Sequence, residues 1–276
     1  RYQFKPERPF SPGGEIAGVV ESLGAGVSGV AVGDRVIAYL KWGGAREKVA
    51  VAASELIAMP EGLDFVTAAT LTVTYGTAIH GLADRGEVKP GETVAVLGAS
   101  GGAGQAAVEI AKMLGARVIA CANGAEKLAF CREIGADEVI DYEREDLKAR
   151  LKELTGGRGV DVVYDTVGDR FADPAVRATA WRGRYLVVGF AAGEIPKIPL
   201  NLLLLKGCDL RGVFWGDHLV REPEAFRDEM RQIMAAVVEG RLKPHVQATF
   251  PLAETPAAIG EIAARRVKGK IVVVAG

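Results

Sequence analysis

Four glycines at positions 98, 101, 102 and 104 follow directly on the apolar, β-branched run Thr93-Val-Ala-Val-Leu97. A run of that type reads as a strand buried on both faces. Beyond the glycines, Ala106, Ala107, Ile110, Ala111 and Leu114 recur at helical spacing until Gly115 stops them. Strand, glycine turn and helix N-terminus together suit a pyrophosphate. Glycines let the backbone turn tightly and approach the ligand, while unpaired N–H groups and the helix dipole face the anion. The candidate cofactor contacts are Gly98, Ser100, Gly101, Gly102, Ala103 and Gly104. The strict G-x-G-x-x-G pattern is not met, because Ala99 stands where its first glycine would be. Glycines of a mere tight turn are the bland alternative; strand-helix alternation on both sides favours a dinucleotide.

The ribose end separates the two nicotinamide cofactors. An NAD-specific unit carries an acid at the end of its second strand, bonded to the ribose hydroxyls. Here that end reads Ala120-Cys-Ala-Asn-Gly124, without a carboxylate. Lys127 follows on the first turn of the next helix, and Tyr142 ends the third strand. A lysine attracts a 2′-phosphate, and Asn123 and Tyr142 can donate hydrogen bonds to it. A solvated surface lysine is the alternative for Lys127. NADPH is the expected cofactor. Gly189 and Phe190 end a later strand on the carboxyl edge where such sheets bind ligands, and Val167 joins the same set. No Ser-His-Asp or paired-carboxylate constellation emerges, and hydride transfer needs none, since the cofactor carries that chemistry.

The elements that position these residues alternate regularly. Lys89-Pro90-Gly91-Glu92 is a turn feeding the central strand. Strands are expected at 116–122, 138–141, 160–164 and 184–188, with helices at 125–134, 143–154 and near 174–181. Such alternation predicts a doubly wound parallel sheet with right-handed crossovers, an α/β fold. Before it, residues 1–73 read as β-rich: strands at 15–23, 36–40 and 45–51, punctuated by glycines as in a small barrel. Asp64 can cap a short helix through Thr70, and another helix spans about 76–84. After Gly193 the pattern changes. Ile195–Lys206 is an apolar patch with two prolines, and 208–215 reads as one more strand. A long helix follows at 222–239, and a helix at 255–266 lies between strands at 246–251 and 271–274.

The whole chain has 276 residues, enough for about two domains, and 49% hydrophobic with 25% charged residues is an ordinary globular balance. A net charge of −1 gives no case for nucleic acid or an anionic membrane. No run is long or apolar enough to span a bilayer. Cys121, Cys131 and Cys208 are far apart and form no C-x-x-C pair, which fits a reducing compartment; with no signal peptide visible, the expected address is cytoplasmic. The chain begins without methionine, and the proline-rich stretch 1–12 reads as the middle of a domain.

Ordered motifs along nearly the whole length resemble the medium-chain dehydrogenase/reductase superfamily, in its zinc-free quinone oxidoreductase branch. They are Gly14-Glu15-Ile16-Ala17-Gly18, Gly33-Asp34-Arg35-Val36, the run 69–78, Gly101-Gly-Ala-Gly104, Gly135-Ala-Asp137, the run 187–193, Asn201-Leu-Leu-Leu-Leu-Lys206, Phe214-Trp-Gly216 and Gly269-Lys-Ile-Val272. The resemblance implies a GroES-like β-barrel catalytic domain at 1–75, lacking its first segment, an NADP-binding Rossmann domain at 76–216, and a return to the catalytic domain at 217–276. It implies transfer of hydride or electrons from NADPH to a quinone or similar conjugated carbonyl. The alternatives are an NADPH-dependent reductase of enoyl thioesters or enones, and a non-catalytic NADPH-binding protein of crystallin type. Tyr2 matches a tyrosine of the quinone pocket, or is a surface tyrosine. Val73 and Thr74 fall where relatives pack against the nicotinamide, or simply start a helix; Tyr2 and Thr74 are the candidate catalytic residues. Phe214 and Trp215 resemble the segment after the nicotinamide, with core packing as the other reading. Lys270 corresponds to a basic residue that reaches the pyrophosphate, or is a strand-edge lysine; Arg265 is a weaker candidate. Zinc-dependent relatives have histidine where Gly14 stands, and their four-cysteine lobe is missing here. The three histidines, His80, His218 and His245, look scattered, at the surface or at helix ends, so no metal is expected. The family forms homodimers, and one is expected here.

Overall fold

The computed structural model describes residues 6–276, so the candidate tyrosine Tyr2 lies outside the described residues. Strands β1 (Glu15–Val19) and β2 (Arg35–Tyr39) pair antiparallel, and β2 pairs also with the short β3 (Ile57–Ala58). The stretch 45–51 is not a strand. Arg46, Glu47 and Lys48 are exposed, and Ala45 is held by loop bonds instead, from its N–H to Pro12 O at 2.8 Å and from Ser11 Oγ to its own carbonyl at 2.7 Å. Asp64 does cap a helix, α1 (Phe65–Ala68), accepting the Thr67 N–H at 2.8 Å. Helix α2 (Thr74–Ile79) runs on into a π-turn, His80–Arg85, where the Gly86 N–H reaches back five residues to Gly81 O at 2.7 Å.

The central unit alternates β4 (Thr93–Leu97), α3 (Gly102–Met113), β5 (Arg117–Ala122), α4 (Ala125–Glu133), β6 (Glu138–Asp141), α5 (Leu147–Glu153), β7 (Val160–Asp165), α6 (Ala172–Ala178), β8 (Thr179–Val187), α7 (Leu200–Lys206) and β9 (Asp209–Gly212). Its six strands are parallel in the order β6-β5-β4-β7-β8-β9, which places the first strand of the unit at the centre. That order reverses direction between β4 and β7, and ligands of open α/β sheets bind at the carboxyl ends there. The strands are apolar throughout because both faces are covered. Val94, Val96, Val118 and Ala120 pack on one side in a core shared with α2 and α3, while Ala95, Leu97, Ile119 and Cys121 pack on the other with α5 and α6. Each fully buried Val or Leu contributes about 1.5–3 kcal/mol, so a sheet clad on both faces is a rigid platform.

Beyond the sheet, the predicted strand 208–215 stops at Gly212. Phe214 and Trp215 instead open a helix, α8 (Trp215–Arg221), which the polar run Gly216-Asp-His218 had concealed. It is followed by α9 (Pro223–Val238), β10 (Val246–Pro251), α10 (Thr255–Ala263) and β11 (Lys270–Val274). The apolar patch 195–206 yields α7 only from Leu200, after Pro199. β10 and β11 pair with each other in parallel, and Gly269 bridges to Gly101, which lays the returning chain on the glycine turn. Among the described residues no helix is long and apolar enough to cross a membrane.

Candidate functional site

The glycine turn behaves as its spacing requires. Gly98 has φ +75°, and a Cβ there would lie 2.6 Å from Thr166 Oγ1, so only glycine fits against the loop after β7. A Cβ on Gly104 would overlap Gly98 O, which is why α3 can pack directly on the turn. Gly101, in extended conformation, is the N-cap of α3, and a Cβ on it would approach only Gly98 O, at 3.7 Å. The first-turn N–H groups of Gly102, Ala103 and Gly104 have no acceptor inside the helix. Together with the helix dipole they form an anion cradle at the carboxyl end of the central strand. Ser100 is buried, and its carbonyl accepts the Gly269 N–H at 3.0 Å.

Lys270 stands beside this cradle. A Cβ on Gly102 would lie 2.9 Å from Lys270 Cδ, and the ammonium is ion-paired with Glu15. Glu15 was not singled out from the sequence as more than a neighbour of Gly14, yet it joins three parts of the site. Its Oε1 accepts the Val73 N–H at 2.8 Å and the Thr72 hydroxyl at 3.1 Å, while Oε2 holds Lys270. The segment before α2 is thereby fixed to the barrel and to the returning strand at once. The available signal was an acid at the head of an otherwise apolar strand. Thr74 is buried, and its hydroxyl donates to Thr70 O at 2.6 Å, the back-bond of a helix-start residue.

At the ribose end, Lys127 Nζ lies 3.4 Å from Asn123 Oδ1 and donates to Arg265 O at 3.3 Å. Arg265 has φ +57°, and its guanidinium reaches Ala191 O at 3.4 Å, so the loop before β11 spans the carboxyl edge. Asp141, an acid at the end of β6, does approach this corner. It is buried, however, and occupied by the N–H groups of Gly124 and Glu143, each at 3.2 Å. The Tyr142 ring packs on Phe171 with centroids 4.4 Å apart, and burial pushes its phenol up to about 12, so it is a neutral donor.

The loop after β7 is braced by Asp165, whose carboxylate accepts the N–H groups of Val167 at 2.7 Å and Gly168 at 2.9 Å as well as the Tyr185 hydroxyl. Burial outweighs those donors and pushes the Asp165 carboxyl up. Val167 is buried next to Gly98, and the half-exposed Phe190 covers Gly168, where a Cβ would come within 2.8 Å of its ring. Gly189 closes on the same loop through its N–H to Asp165 O at 3.2 Å. Phe214 is about half exposed, whereas Trp215 is buried edge-on between Tyr39, 4.9 Å away, and Phe226, 5.7 Å away, and rests on Gly76. Packing is therefore the role the structure displays for Trp215.

Sequence comparison agrees with this architecture. A family model described as an alcohol dehydrogenase GroES-like domain matches residues 1–61, and one described as a zinc-binding dehydrogenase matches residues 102–237. A quinone oxidoreductase-like protein 2 homolog of Nematostella vectensis is 40% identical over 276 residues, spanning 99% of this chain and 75% of that protein. The chain belongs to the quinone oxidoreductase branch of the medium-chain dehydrogenase/reductase superfamily. Solved structures of the superfamily superimpose closely. A probable oxidoreductase from Mycobacterium abscessus does so at a TM-score of 0.88 and 41% identity, over 99% of this chain and 82% of that one. Escherichia coli quinone oxidoreductase, solved in complex with NADPH, gives 0.92 at 29% identity, over 99% and 84%.

Two features of this family member bear on metals. A Cβ on Gly14 would lie 3.0 Å from Lys41 O and 3.2 Å from the Tyr39 ring, leaving little room for a larger side chain. The histidines, by contrast, are not all scattered. His80 and His218 do lie at helix ends, at the close of α2 and in the last turn of α8, but they are buried with rings stacked at 4.0 Å, which corrects the expectation of scattered, surface positions for both. Their elements are 138 positions apart in sequence, a separation that no spacing rule detects. His245 is half-buried against Phe130.

Proposed function

We propose that this chain is an NADPH-dependent oxidoreductase that reduces quinones or similar conjugated carbonyls without a catalytic metal. The observation that carries the cofactor choice is the end of β5. Asn123 and Lys127 lie there 3.4 Å apart, and the acid that ends β6, Asp141, is buried and engaged. NADPH-bound Escherichia coli quinone oxidoreductase, of the same fold, supports the reading. The cradle fits a dinucleotide, because the glycines leave N–H groups free for the pyrophosphate and Lys270 adds a cation beside Gly102. NADPH, when bound, supplies the hydride or electrons. The protein's part is to bind and orient. Lys127 holds the 2′-phosphate, the α3 N-terminus holds the pyrophosphate, and Glu15 fixes the Thr72–Thr74 segment where the family places the nicotinamide.

The acceptor chemistry is supported by what the described residues of the site do not supply. Thr74 spends its hydroxyl on its own helix, and the Asp165 and Tyr185 pair is internal to the sheet. Quinones stabilise added hydride by becoming aromatic; isolated ketones do not. Metal independence is favoured by the crowded Gly14, since the family's zinc enzymes need a histidine there. The test is NADPH oxidation with small ortho- and para-quinones, with and without a chelator. Turnover with quinones, little with simple aldehydes, ketones or alcohols, and no loss on chelation are expected. Robust turnover of a simple alcohol, or activity confined to enoyl thioesters with quinones inert, would sink the assignment.

A further inference from the structure

Outside the glycine cradle, three elements bring together side chains that hydride transfer does not use. His80 opens the π-turn after α2, His218 lies in α8, and Glu229 lies in α9. One ring nitrogen from each histidine and one Glu229 oxygen all lie within 4.8 Å of one another. His218 Nε2 is 3.0 Å from Glu229 Oε2. Both imidazoles are at least nine-tenths buried, at 6% and 5% exposure.

Each histidine is followed four residues later by an acid, and in both cases Nδ1 faces it. Asp84 Oδ2 lies 3.0 Å from His80 Nδ1, and Glu222 Oε2 lies 3.6 Å from His218 Nδ1. Neither contact has the geometry of a hydrogen bond, so both Nδ1 atoms are buried without one. Buried polar atoms left in that state call for a reason. A second, independent feature is the π-turn itself. π-Helical geometry is rare, costs hydrogen-bond quality, and gathers at functional positions. Here it begins at His80 and directs that ring onto His218.

We propose that His80, His218 and Glu229 bind a borderline divalent cation of the zinc type, which ties the π-turn to α8 and α9. Two imidazoles and one carboxylate are a donor set that such ions prefer, whereas Mg2+ favours oxygen alone. Asp84 and Glu222 stand 3.0 and 3.6 Å from the two Nδ1 atoms, close enough for each to take the outer part once its ring turns on binding, and a carboxylate on the far nitrogen orients a ligating histidine and raises its basicity. The cation also offsets three acids, Asp84, Glu222 and Glu229, gathered around two rings, with Arg85 the nearby cation. Tetrahedral ligand atoms stand about 3.3–3.5 Å apart at bonds of about 2.0–2.2 Å. His218 and Glu229, at 3.0 Å, already stand near that spacing, so binding needs chiefly the rotation of His80 off its stack with His218. None of the three ligands belongs to the glycine cradle, so the cation would stabilise the fold and leave the proposed reaction metal-independent.

The test uses the purified protein, stripped with a chelator and titrated with Co2+, Zn2+ and Mg2+. Co2+ should bind one per chain with the visible d–d absorption of a low-coordinate site, Zn2+ should displace it, and Mg2+ should not. His218→Asn and Glu229→Gln should each weaken Co2+ at least about tenfold, and Asp84→Asn about tenfold through orientation alone. Zn2+ should raise the melting temperature of the wild type but not of Glu229→Gln. NADPH titration of each variant checks that it folds. Absence of stoichiometric Co2+ binding to the wild type overturns the proposal, whatever the variants do. Binding that survives unchanged in His218→Asn and Glu229→Gln, or equal competition by Mg2+, overturns it as well.

Discussion

At the scale of single residues, the site separates two kinds of contact that one cofactor would make. On the proposed reading, Lys127 would meet the phosphate that distinguishes NADPH from NADH, whereas Lys270, beside Gly102, would meet the pyrophosphate shared by both. Lys127→Ala should therefore cost one charge-assisted contact, about 1.5–3 kcal/mol, or ten- to a hundred-fold in NADPH affinity. NADH binding should hardly move. Lys270→Met should weaken both cofactors alike, about tenfold. It should also lower stability by about 1–3 kcal/mol, because Glu15 would keep only its bonds to Thr72 and Val73 and lose its cation. Fluorescence titration of both variants with both cofactors checks the contrast; if Lys127→Ala weakens NADH as much as NADPH, the phosphate role is wrong. The glycine turn was legible because its geometry is local in sequence. Glu15 was not, since its meaning comes from Lys270, 255 residues away.

At the scale of elements, α3 shows how one helix can serve both an anion cradle and the core. Its N-terminus packs on the glycine turn, and Gly104→Ala should cost about 3 kcal/mol or more, since the new methyl overlaps Gly98 O and backbone cannot give way. Two turns on, Glu109 is buried and accepts Gln105 Nε2 at 2.8 Å, Lys243 N at 2.9 Å and the Tyr75 hydroxyl at 3.0 Å. Burial pushes its carboxyl above the usual range despite those donors. The folded state thus binds that proton more tightly than the unfolded chain. Its contribution is fully present below the unfolded pKa of about 4.3 and is lost as pH rises through the folded value. Glu109→Gln imitates the protonated form, so wild-type stability relative to the variant should fall as pH climbs above about 4.3 and then level off. Thermal melts of both proteins across that range check the sign; a constant difference would refute it. The alternating unit was readable because strands clad on both faces and glycine-stopped helices carry strong patterns. α8 and the false strand at 45–51 were not, for opposite reasons. α8 is short and begins on two aromatics that suit a strand, while 45–51 has apolar residues but no strand to pair with among the described residues.

At the scale of the whole molecule, the six-stranded sheet ends at β9, and the expected homodimer has to be argued from that edge. β9 spans only four residues, and its Asp209 and Arg211 pair with each other at 2.9 Å, while Arg211 also holds Glu87 at 2.5 Å. A short, charged edge resists strand pairing with a copy of itself. The apolar surface lies beside it. On α7, Leu200, Leu204 and Leu205 are 76%, 81% and 74% exposed, and Trp181, 72% exposed, leans on Gly207 at the end of that helix. Exposed apolar side chains so close together mark an association surface, and a two-fold axis would lay each α7 on its counterpart. The dimer should therefore depend on α7 more than on β9. Light scattering at micromolar concentration should show a dimer for the wild type and a monomer for Leu204→Glu combined with Leu205→Glu. Both changes lie on solvent-facing positions, so the monomer should keep its NADPH affinity. A wild type that is monomeric, or a dimer that survives the double substitution, would remove α7 as the interface.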